Sequence, residues 1–355
     1  MCSFFEYNKH IMDEQITVVI PNRNGSATIA RCLEAIFSSS YRTFDVVVVD
    51  DGSEDDSIMK IDQFPCRLIR LEEHSGASHA RNVGAQSSSG EILFFTDADC
   101  LVNEDTLALV NRALQEVGPN VLIGGTYSPV PADPGFFSRF QSAYINYAET
   151  KHAENPDYLA THALALRVDT FKRIGGFREA FMPILEDVEF SHRARRAGHR
   201  LIMKPDILVR HLFNYTLSGS LRNAVKKSYF WTAYSLANRD LFRDSGTAST
   251  ELKVNVGVFF ASLFLVLVWL LTGHPSVLFA APLLIIGNAL VSRGLIRAFQ
   301  RTKGTIFALS AYGYYALVYP LAVGAGAFGG AMKYFFTMKT RENRKNPKSQ
   351  MTNPK

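Results

Sequence analysis

The chain has 355 residues, a formal net charge of +5 and a mean hydropathy of +0.01. This length allows one large globular domain and a smaller second part. The basic excess lies mainly near and after residue 193 and follows no nucleic-acid-binding motif, so we predict no nucleic-acid partner. It suits anionic lipid heads or a phosphorylated substrate better. The four cysteines have no metal-ligand spacing and fit reduced thiols in the cytosol.

The apolar residues are unevenly distributed. Residues 1–250 carry most of the charge, whereas residues 254–336 are dominated by Leu, Val, Ala, Phe, Gly and Tyr. The first ten residues lack an apolar core of signal-peptide length, so we expect the first domain to stay in the cytoplasm. We predict four regions, which are a catalytic domain (1–215), an amphipathic interfacial helix (216–250), transmembrane helices (251–340) and a basic polar tail (341–355).

Short apolar runs in the first half predict buried strands. They are ITVVIPNRNG (16–25), FDVVVVDDGS (44–53), CRLIRL (66–71), EILFFTDAD (91–99) and VLIGGTYSPV (121–130). Stretches with helical character separate them, which is the pattern of βαβ units. We therefore predict an α/β fold with a mostly parallel sheet flanked by helices.

Three polar clusters follow the predicted strands, at residues 22–24, 50–53 and 97–99. A single such cluster is most often a turn with its cap. Three clusters at the carboxyl edge of one sheet instead predict a ligand site, because ligands of open α/β sheets bind at that edge. Asp97 and Asp99 could hold a divalent cation against a diphosphate there.

Two later stretches also carry candidate residues. Helical spacing places five aromatic residues on one stripe within residues 136–147, for which we predict core packing against the sheet, with an apolar acceptor groove as the alternative. Glu186 and Asp187 precede a basic helix that we predict from about Val188 to Ala197. We also predict a strand over residues 158–167 and, after the basic helix, two short strands that end at His211.

With these residues in view, the chain resembles the family-two glycosyltransferases of GT-A (Rossmann-like) fold over about residues 14–215. The motifs occur in family order as IPNRN, VVVDDGS, HSGASHARNVG, TDAD, IGGF, EDVEF and VRH. The resemblance implies a nucleotide-diphosphate sugar as donor and Mg²⁺ or Mn²⁺ as cofactor.

The resemblance also implies roles for residues on the donor side. Asp50 and Asp51 would contact the nucleoside base and ribose, with Pro21 and Asn22 in the loop beside them. Arg81 would contact the nucleotide.

The resemblance further implies which residues bind the metal and carry the reaction. Asp97 and Asp99 match the D-x-D pair, with Asp99 as the direct metal ligand. Asp187 matches the catalytic base and Glu186 its neighbour. His211 matches a histidine that reaches the metal or the diphosphate in some family members.

The residues themselves leave alternatives open. Arg81 could pair with Glu91 or Asp62 instead of a ligand, and His211 could be a strand-end histidine bonded to backbone. Spacing does not decide whether Glu186 or Asp187 is the base.

The chain also departs from the family pattern. Arg23 stands where Tyr or Phe is common, and Ala163, beside His162, replaces a frequent asparagine. The Q-x-x-R-W element of processive synthases is absent.

The C-terminal part predicts a membrane anchor of three or four helices. Residues 254–272 have the length of a span, and residues 276–291 form a shorter apolar segment. A basic loop at 293–303 would be cytoplasmic by the positive-inside rule. We expect residues 305–336 to form a hairpin or re-entrant pair broken near Pro320.

These observations predict an inverting, metal-dependent glycosyltransferase in the cell inner (cytoplasmic) membrane, multi-pass, with its catalytic domain in the cytoplasm. The anchor favours a lipid-linked or envelope glycan as acceptor and membrane lipids as partners. The alternatives are a polyprenyl-phosphate glycosyltransferase and a non-catalytic scaffold that binds nucleotide or glycan. A dinucleotide oxidoreductase is disfavoured, since no G-x-G-x-x-G follows the first strand.

Overall fold

The computed structural model describes residues 12–180 and 182–345, with the side chains of 277, 278 and 337–345 excepted. The predicted N-terminal stretch up to residue 11 and the last ten residues of the predicted tail lie outside this range. The strands in the described part are β1 (Ile16–Asn22), β2 (Phe44–Asp50), β3 (Arg67–Arg70), β4 (Ile92–Phe95), β5 (Cys100–Val102), β6 (Val121–Tyr127), β7 (Leu164–Arg167) and β8 (Arg200–His211).

The chain divides into two compact units. The sheet unit contains the described residues up to Asp133 and Glu149–Phe213, and the helical unit contains Pro134–Ala148 and the residues from Asn214 onward. The α-helices in the described part are α1 (Ile29–Phe37), α2 (Ser57–Ile61), α3 (Ala77–Gln86), α4 (Thr106–Val117), α5 (Phe136–Thr150), α6 (Val168–Ile174), α7 (Glu186–Arg196), α8 (Leu217–Asn238), α9 (Thr250–Thr272), α10 (Ala280–Val291), α11 (Arg293–Leu317) and α12 (Tyr319–Lys345).

The strands form one sheet in the order β3-β2-β1-β4-β7-β6-β8-β5. Strands β1 to β4 pair in parallel, as the βαβ pattern predicts. β7 then runs antiparallel to both β4 and β6, and β5 runs antiparallel to β8. The α/β class is confirmed, and the sheet is mixed beyond its first four strands. All four residues of β4 are buried, which is typical of a central strand covered on both faces.

Two predicted strands near the site have different bounds. The stretch 158–167 becomes a strand only at Leu164, because Thr161–Ala163 form one turn of 3₁₀ helix. The residues predicted as two short strands before His211 form the single strand β8. It pairs with β6 through a register shift between Gly124 and Thr126.

An aromatic cluster lies beneath the start of α7. The ring centroids of Phe177 and Phe190 are 4.6 Å apart, and those of Phe95 and Phe177 are 5.3 Å apart. Phe95 belongs to β4 and Phe190 to α7. The cluster therefore fixes the beginning of α7 relative to the end of β4, which sets the distance between their acidic residues.

The aromatic stripe of α5 does not fill the role we predicted for it. Phe140 packs against Tyr314 and Phe299 of α11, with ring centroids 4.8 and 5.5 Å apart, and Phe136 packs against Phe307 at 5.8 Å. The stripe is part of the core of the helical unit. Helical spacing identified the apolar face correctly, but it carries no information about which element covers that face.

Within the part of the chain that the structure describes, two helical segments are long and apolar enough to cross a membrane by length and composition, Thr250–Thr272 and Arg293–Phe336. The predicted basic loop at 293–303 is the first part of α11. The helix breaks at Lys303 and Gly304, where Gly304 has φ of +81°. The predicted reversal near Pro320 is not present, because Val318 has helical dihedral angles and Pro320 lies in the first turn of α12, where proline is tolerated.

Glycines of α12 allow close contact with α8. A Cβ atom at Gly330 would overlap the backbone carbonyl of Tyr229, and one at Gly326 would overlap that of Val225. Neither carbonyl can move without disturbing α8. The small residues therefore set the approach of the two helices, as in other tightly packed helix pairs.

We expect Gly330→Ala to lower the stability of the full chain in detergent by about 1–3 kcal/mol, because the added methyl overpacks the α8–α12 contact. The matched control is Gly313→Ala, whose Cβ meets no atom within 4 Å. It should be neutral or stabilising by up to about 1 kcal/mol through helix propensity. Thermal unfolding of both variants measures this, and equal midpoints would show that the glycine contact is not constrained.

Candidate active site

The carboxyl edge of the sheet borders a cleft of about 700 Å³. The strand ends and the first turns of α3 and α7 form its walls. The residues singled out in the sequence that line it are Pro21, Asn22, Asp51, Arg81, Asp97, Asp99, Glu186 and His211. Asp50 and Asp187 are the two candidates that do not line it.

Arg81 links two acidic segments across the cleft. Its Nη2 donates to Asp97 Oδ1 at 2.7 Å and its Nη1 to Glu186 Oε1 at 2.6 Å. The Arg81 side chain is only 5 % exposed. Burial raises the pKa of Asp97, but the Arg81 guanidinium outweighs this and keeps the pKa below its ordinary value. The alternatives of pairing with Glu91 or Asp62 are wrong, and Asp62 pairs with Arg70 instead.

Asp51 organises the loop that precedes α3. Its carboxylate accepts the backbone N–H groups of Ser75 at 2.7 Å and Gly76 at 2.9 Å, and it lies 2.8 Å from Nδ1 of His74. Gly76 has φ of +93°, a conformation that favours glycine. Asp51 therefore shapes this wall of the cleft. The sequence motifs had predicted no role for His74.

Asp50 lies behind this wall. It is 1 % exposed, and its carboxylate accepts from Asn22 Nδ2 at 2.8 Å and from both the N–H and the hydroxyl of Ser53. These bonds tie the end of β2 to the end of β1. The predicted contact of Asp50 with a nucleoside would require these partners to be displaced, so the described geometry gives Asp50 a structural role.

Asp99 and His211 form the part of the cleft best suited to a metal ion. Asp99 Oδ2 lies 3.4 Å from His211 Nε2, and the Cys100 thiol completes a group whose ligand atoms lie within 4.8 Å of one another. Burial raises the pKa of Cys100 well above its ordinary value, so this sulfur is a neutral thiol and a poor ligand for Mg²⁺ or Mn²⁺.

The charges around Asp99 also fit a cation. Partial burial and the neighbouring Asp97 carboxylate raise the pKa of Asp99 to about 7. Two close carboxylates repel each other, and a divalent ion would relieve that repulsion. The carboxylate oxygens at this point therefore fit a hard divalent cation. Asp97 stands beside them with one oxygen already bound to Arg81.

Aromatic rings hold His211 in place. His211 stacks on Phe213 with centroids 3.9 Å apart and meets the edge of Tyr127 at 5.1 Å. Tyr127 stacks in turn on His162 at 3.9 Å. His162 is buried 3.4 Å from Glu149. Sequence reasoning missed Glu149 and Tyr127, because neither belongs to a motif and the fold alone brings them here.

Glu186 and Asp187 occupy different environments at the start of α7. Glu186 lines the cleft and is bound to Arg81, whereas Asp187 Oδ1 accepts the N–H of Val188 at 2.8 Å. Burial and the charge of Glu186 raise the pKa of Asp187 to about 7. Leu185, just before the helix, has φ of +75°, which is a strained conformation for a branched residue.

A second network joins the A-R-N-x-G and I-G-G-F motifs. Asn82 Nδ2 donates to the Phe177 carbonyl, and Asn82 Oδ1 accepts the Phe177 N–H, both at 2.8 Å. Asn82 also donates to Glu179, which lies 2.9 Å from His79 and lines the cleft. In the sequence, Asn82, directly after Arg81, was the one polar residue from which this network could have been predicted.

Comparisons with known proteins agree with the motifs found in the sequence. Residues 17–175 match the family model described as glycosyl transferase family 2. The chain is 31% identical over 131 residues to the glycosyltransferase GlyG of Streptococcus pneumoniae, covering 36% of this chain and 44% of that protein. It is 29% identical over 203 residues to the glycosyltransferase AglE of Haloferax volcanii, covering 55% of this chain and 66% of that protein. The chain thus spans less than two thirds of either relative.

Among solved structures, the fold is similar to that of the mannosyltransferase PcManGT from Pyrobaculum calidifontis in complex with GDP-Man and Mn²⁺. The TM-score is 0.56 at 19% identity, with 92% of this chain and 88% of that chain covered. The sheet unit thus has a GT-A fold. The domain over residues 17–175 belongs to glycosyl transferase family 2, as the sequence motifs predicted.

Replacing Arg81 should destabilise the sheet unit more than any exposed arginine. In Arg81→Met, Asp97 and Glu186 lose a buried partner, and we expect a loss of about 3–5 kcal/mol at neutral pH. Asp97 has a lowered pKa in the folded state, so its pairing stabilises above the unfolded pKa and is lost as the pH falls. The difference from the parent chain should therefore shrink below about pH 4.

The matched control is Arg70→Met, which removes an exposed pair with Asp62 and should cost less than about 1 kcal/mol. Thermal unfolding of both variants, from well below pH 4 up to pH 8, measures the effect. A loss in Arg81→Met no greater than that in Arg70→Met would contradict the structural role of the bridge.

Proposed function

We propose that this chain is a membrane-anchored, inverting, metal-dependent glycosyltransferase that moves a sugar from a nucleotide-diphosphate donor to an acceptor near the cytoplasmic membrane face. The observation that carries the proposal is the meeting of Asp99, His211 and the Arg81 bridge in one cleft. Carboxylates at the ends of the strands would provide the metal site in this cleft, and the helix that begins beside it with two acids would provide the base.

The donor would lie along the wall formed by Asn22, Asp51 and the first turn of α3. Ala77 and Ser78 of that turn line the cleft, and a helix N-terminus favours an anionic group such as a diphosphate. The neighbour of similar fold that holds GDP-Man and Mn²⁺ supports a nucleotide sugar as donor.

Asp99 and His211 would hold the metal ion, with Asp97 contributing its second oxygen. When bound, Mg²⁺ or Mn²⁺ supplies Lewis-acid stabilisation of the charge that develops on the departing diphosphate. Arg81 keeps Asp97 ionised and orients it toward the strand edge. The aromatic stack around His211 restricts the orientation of its imidazole.

Asp187 is the proposed base that accepts the proton of the acceptor hydroxyl during attack. Its raised pKa brings it near neutral pH, where a general base is most effective. Glu186 is less suited to this role because its carboxylate is bound to Arg81. Attack on the face of the sugar opposite the leaving diphosphate would invert the anomeric carbon.

The apolar helices of the helical unit support an acceptor held at the membrane. α9 and the segment 293–336 have the length and hydropathy of spans. We propose a lipid-linked or envelope glycan as acceptor and an inner-membrane, multi-pass location with the sheet unit in the cytoplasm. The four-region division predicted from the sequence is retained as part of this proposal.

A polyprenyl-phosphate acceptor is the second candidate. The observation that favours it is that Asp187 does not line the described cleft. A lipid phosphate is already anionic, so its attack would not need a carboxylate base. The behaviour of an Asp187 variant separates the two candidates.

Loss of the metal ligand should abolish donor chemistry. We expect Asp99→Ala to reduce metal-supported hydrolysis or transfer of the donor by about 100-fold or more, because the leaving-group charge is no longer stabilised. The assay uses the full chain in detergent with Mn²⁺ and a panel of UDP-, GDP- and dTDP-sugars. The control is Asp105→Ala, an exposed acid outside the cleft. Unchanged turnover in Asp99→Ala would refute the metal site.

The Asp187→Asn variant tests the base. We expect turnover with a hydroxyl acceptor to fall by about 100-fold or more while donor binding stays within about twofold. The parent enzyme should lose about tenfold in rate per pH unit below about pH 7, because protonated Asp187 cannot accept a proton. Turnover of Glu186→Gln is measured in the same way, because Glu186 is the other candidate for the base. Full turnover of Asp187→Asn on a polyprenyl phosphate would favour the second candidate.

A further inference from the structure

A row of three rings connects a buried imidazole to the candidate metal site. His162 stacks on Tyr127 with ring centroids 3.9 Å apart and an interplanar angle of 21°. Tyr127 in turn meets the ring of His211 edge-on, at 5.1 Å and 82°. His211 lines the cleft, whereas His162 and Tyr127 do not. A change at His162 can therefore reach the cleft only through the ring of Tyr127.

Glu149 restrains both His162 and the strand that carries Tyr127. Glu149 Oε2 lies 3.4 Å from His162 Nε2 and accepts the Thr126 hydroxyl at 2.7 Å. Both the acid and the imidazole are buried. Since a buried carboxylate requires polar partners, Glu149 holds the imidazole and the end of β6 close together. The stacked arrangement of His162 and Tyr127 is thus fixed from behind.

The backbone of His162 is tied to the strand that carries the D-x-D acids. His162 lies in the 3₁₀ turn Thr161–Ala163, and the Thr96 hydroxyl donates to its carbonyl at 3.0 Å. Thr96 directly precedes Asp97. The imidazole therefore has a defined position relative to the end of β4. In the sequence, His162 stood out only as the neighbour of Ala163, and no step of the proposed reaction uses it.

His211 depends on rings for its orientation because it is the last residue of β8. Phe213 stacks on it at 3.9 Å, and the edge contact with Tyr127 adds a second boundary. Rotation of the imidazole about its terminal side-chain torsion is otherwise only weakly restricted. Groups that orient a metal-binding histidine from behind commonly change metal affinity by about 10–100-fold.

We propose that His162 is a positioning residue for the metal site, and that it acts by holding Tyr127 against His211. The inference rests on the metal site given under the proposed function and extends it to His162, Tyr127 and Glu149. The property required at position 162 is a flat ring that stacks on Tyr127. Phenylalanine should therefore replace this histidine, whereas leucine, which has a similar volume and no ring, should not.

Binding of Mn²⁺ alone to the full chain in detergent tests the proposal. The variants are made in a Glu149→Gln background, so that neither replacement of His162 leaves a buried carboxylate without its imidazole. We expect His162→Leu to weaken Mn²⁺ binding by about tenfold or more and His162→Phe to stay within about threefold of the background. The control is His192→Leu, which removes another buried imidazole, 3.1 Å from Asp157 and outside the cleft. It should leave Mn²⁺ affinity unchanged.

Pulsed electron paramagnetic resonance separates a positioning role from a general loss of structure. A directly bound imidazole nitrogen gives a hyperfine coupling to Mn²⁺, which we expect in the parent chain and in His162→Phe. The coupling should be absent from His211→Ala and from His162→Leu, although the thermal midpoints of the two His162 variants should agree within a few degrees. Tyr127→Leu, compared with Tyr127→Phe, repeats the test one ring closer to the metal should His162→Leu fail to fold.

Equal Mn²⁺ affinity and equal nitrogen coupling in the leucine and phenylalanine variants would overturn the positioning role of His162. If Asp99→Ala weakens Mn²⁺ binding in the same experiment, the metal site itself stands and only this inference fails. A parent chain that binds no Mn²⁺, or that binds it no better than Asp99→Ala does, would overturn the metal site and the inference together. Neither reading requires turnover of a donor.

Discussion

The buried guanidinium of Arg81 is the constraint on which the cleft depends. A cation that is 95 % removed from solvent must be paired, and Arg81 takes one carboxylate from the end of β4 and another from the start of α7. These partners lie 16 and 105 residues away in the chain. The bridge therefore fixes the width of the cleft, and Asp99 lines the same cleft 3.4 Å from His211.

This charge arrangement would favour the binding of a metal and an anionic substrate together. Asp97 and Glu186 share the single positive charge of Arg81, so the strand edge stays negative. A diphosphate alone would be repelled by Asp99, whereas a divalent ion between them satisfies both. The aromatic stacks behind His211 and beneath α7 then supply the rigidity that such a site needs.

Different interactions hold the helical unit together. Its core is aromatic, formed by α5 and α11, and glycines let α12 approach the backbone of α8. Two buried asparagines, Asn255 and Asn288, hydrogen-bond to each other at 2.7 Å among otherwise apolar helices. Polar pairs in such surroundings hold helices in register.

The sequence by itself determined the strands, the acidic clusters that follow them and the apolar segments near the C-terminus. These features depend on short-range periodicity and on the residue types that turns require, both of which can be read locally. The family motifs added the order of the elements and thereby the fold.

Only the tertiary structure decided which residues contact each other. It paired Arg81 with Glu186 and not with Glu91, placed Asp50 behind the cleft wall beside Asn22, and packed the stripe of α5 on helices and not on the sheet. It also reversed β7 within a sheet whose first strands are parallel. Contacts between residues distant in sequence depend on how whole elements pack, and a local pattern encodes which face is buried but not what buries it.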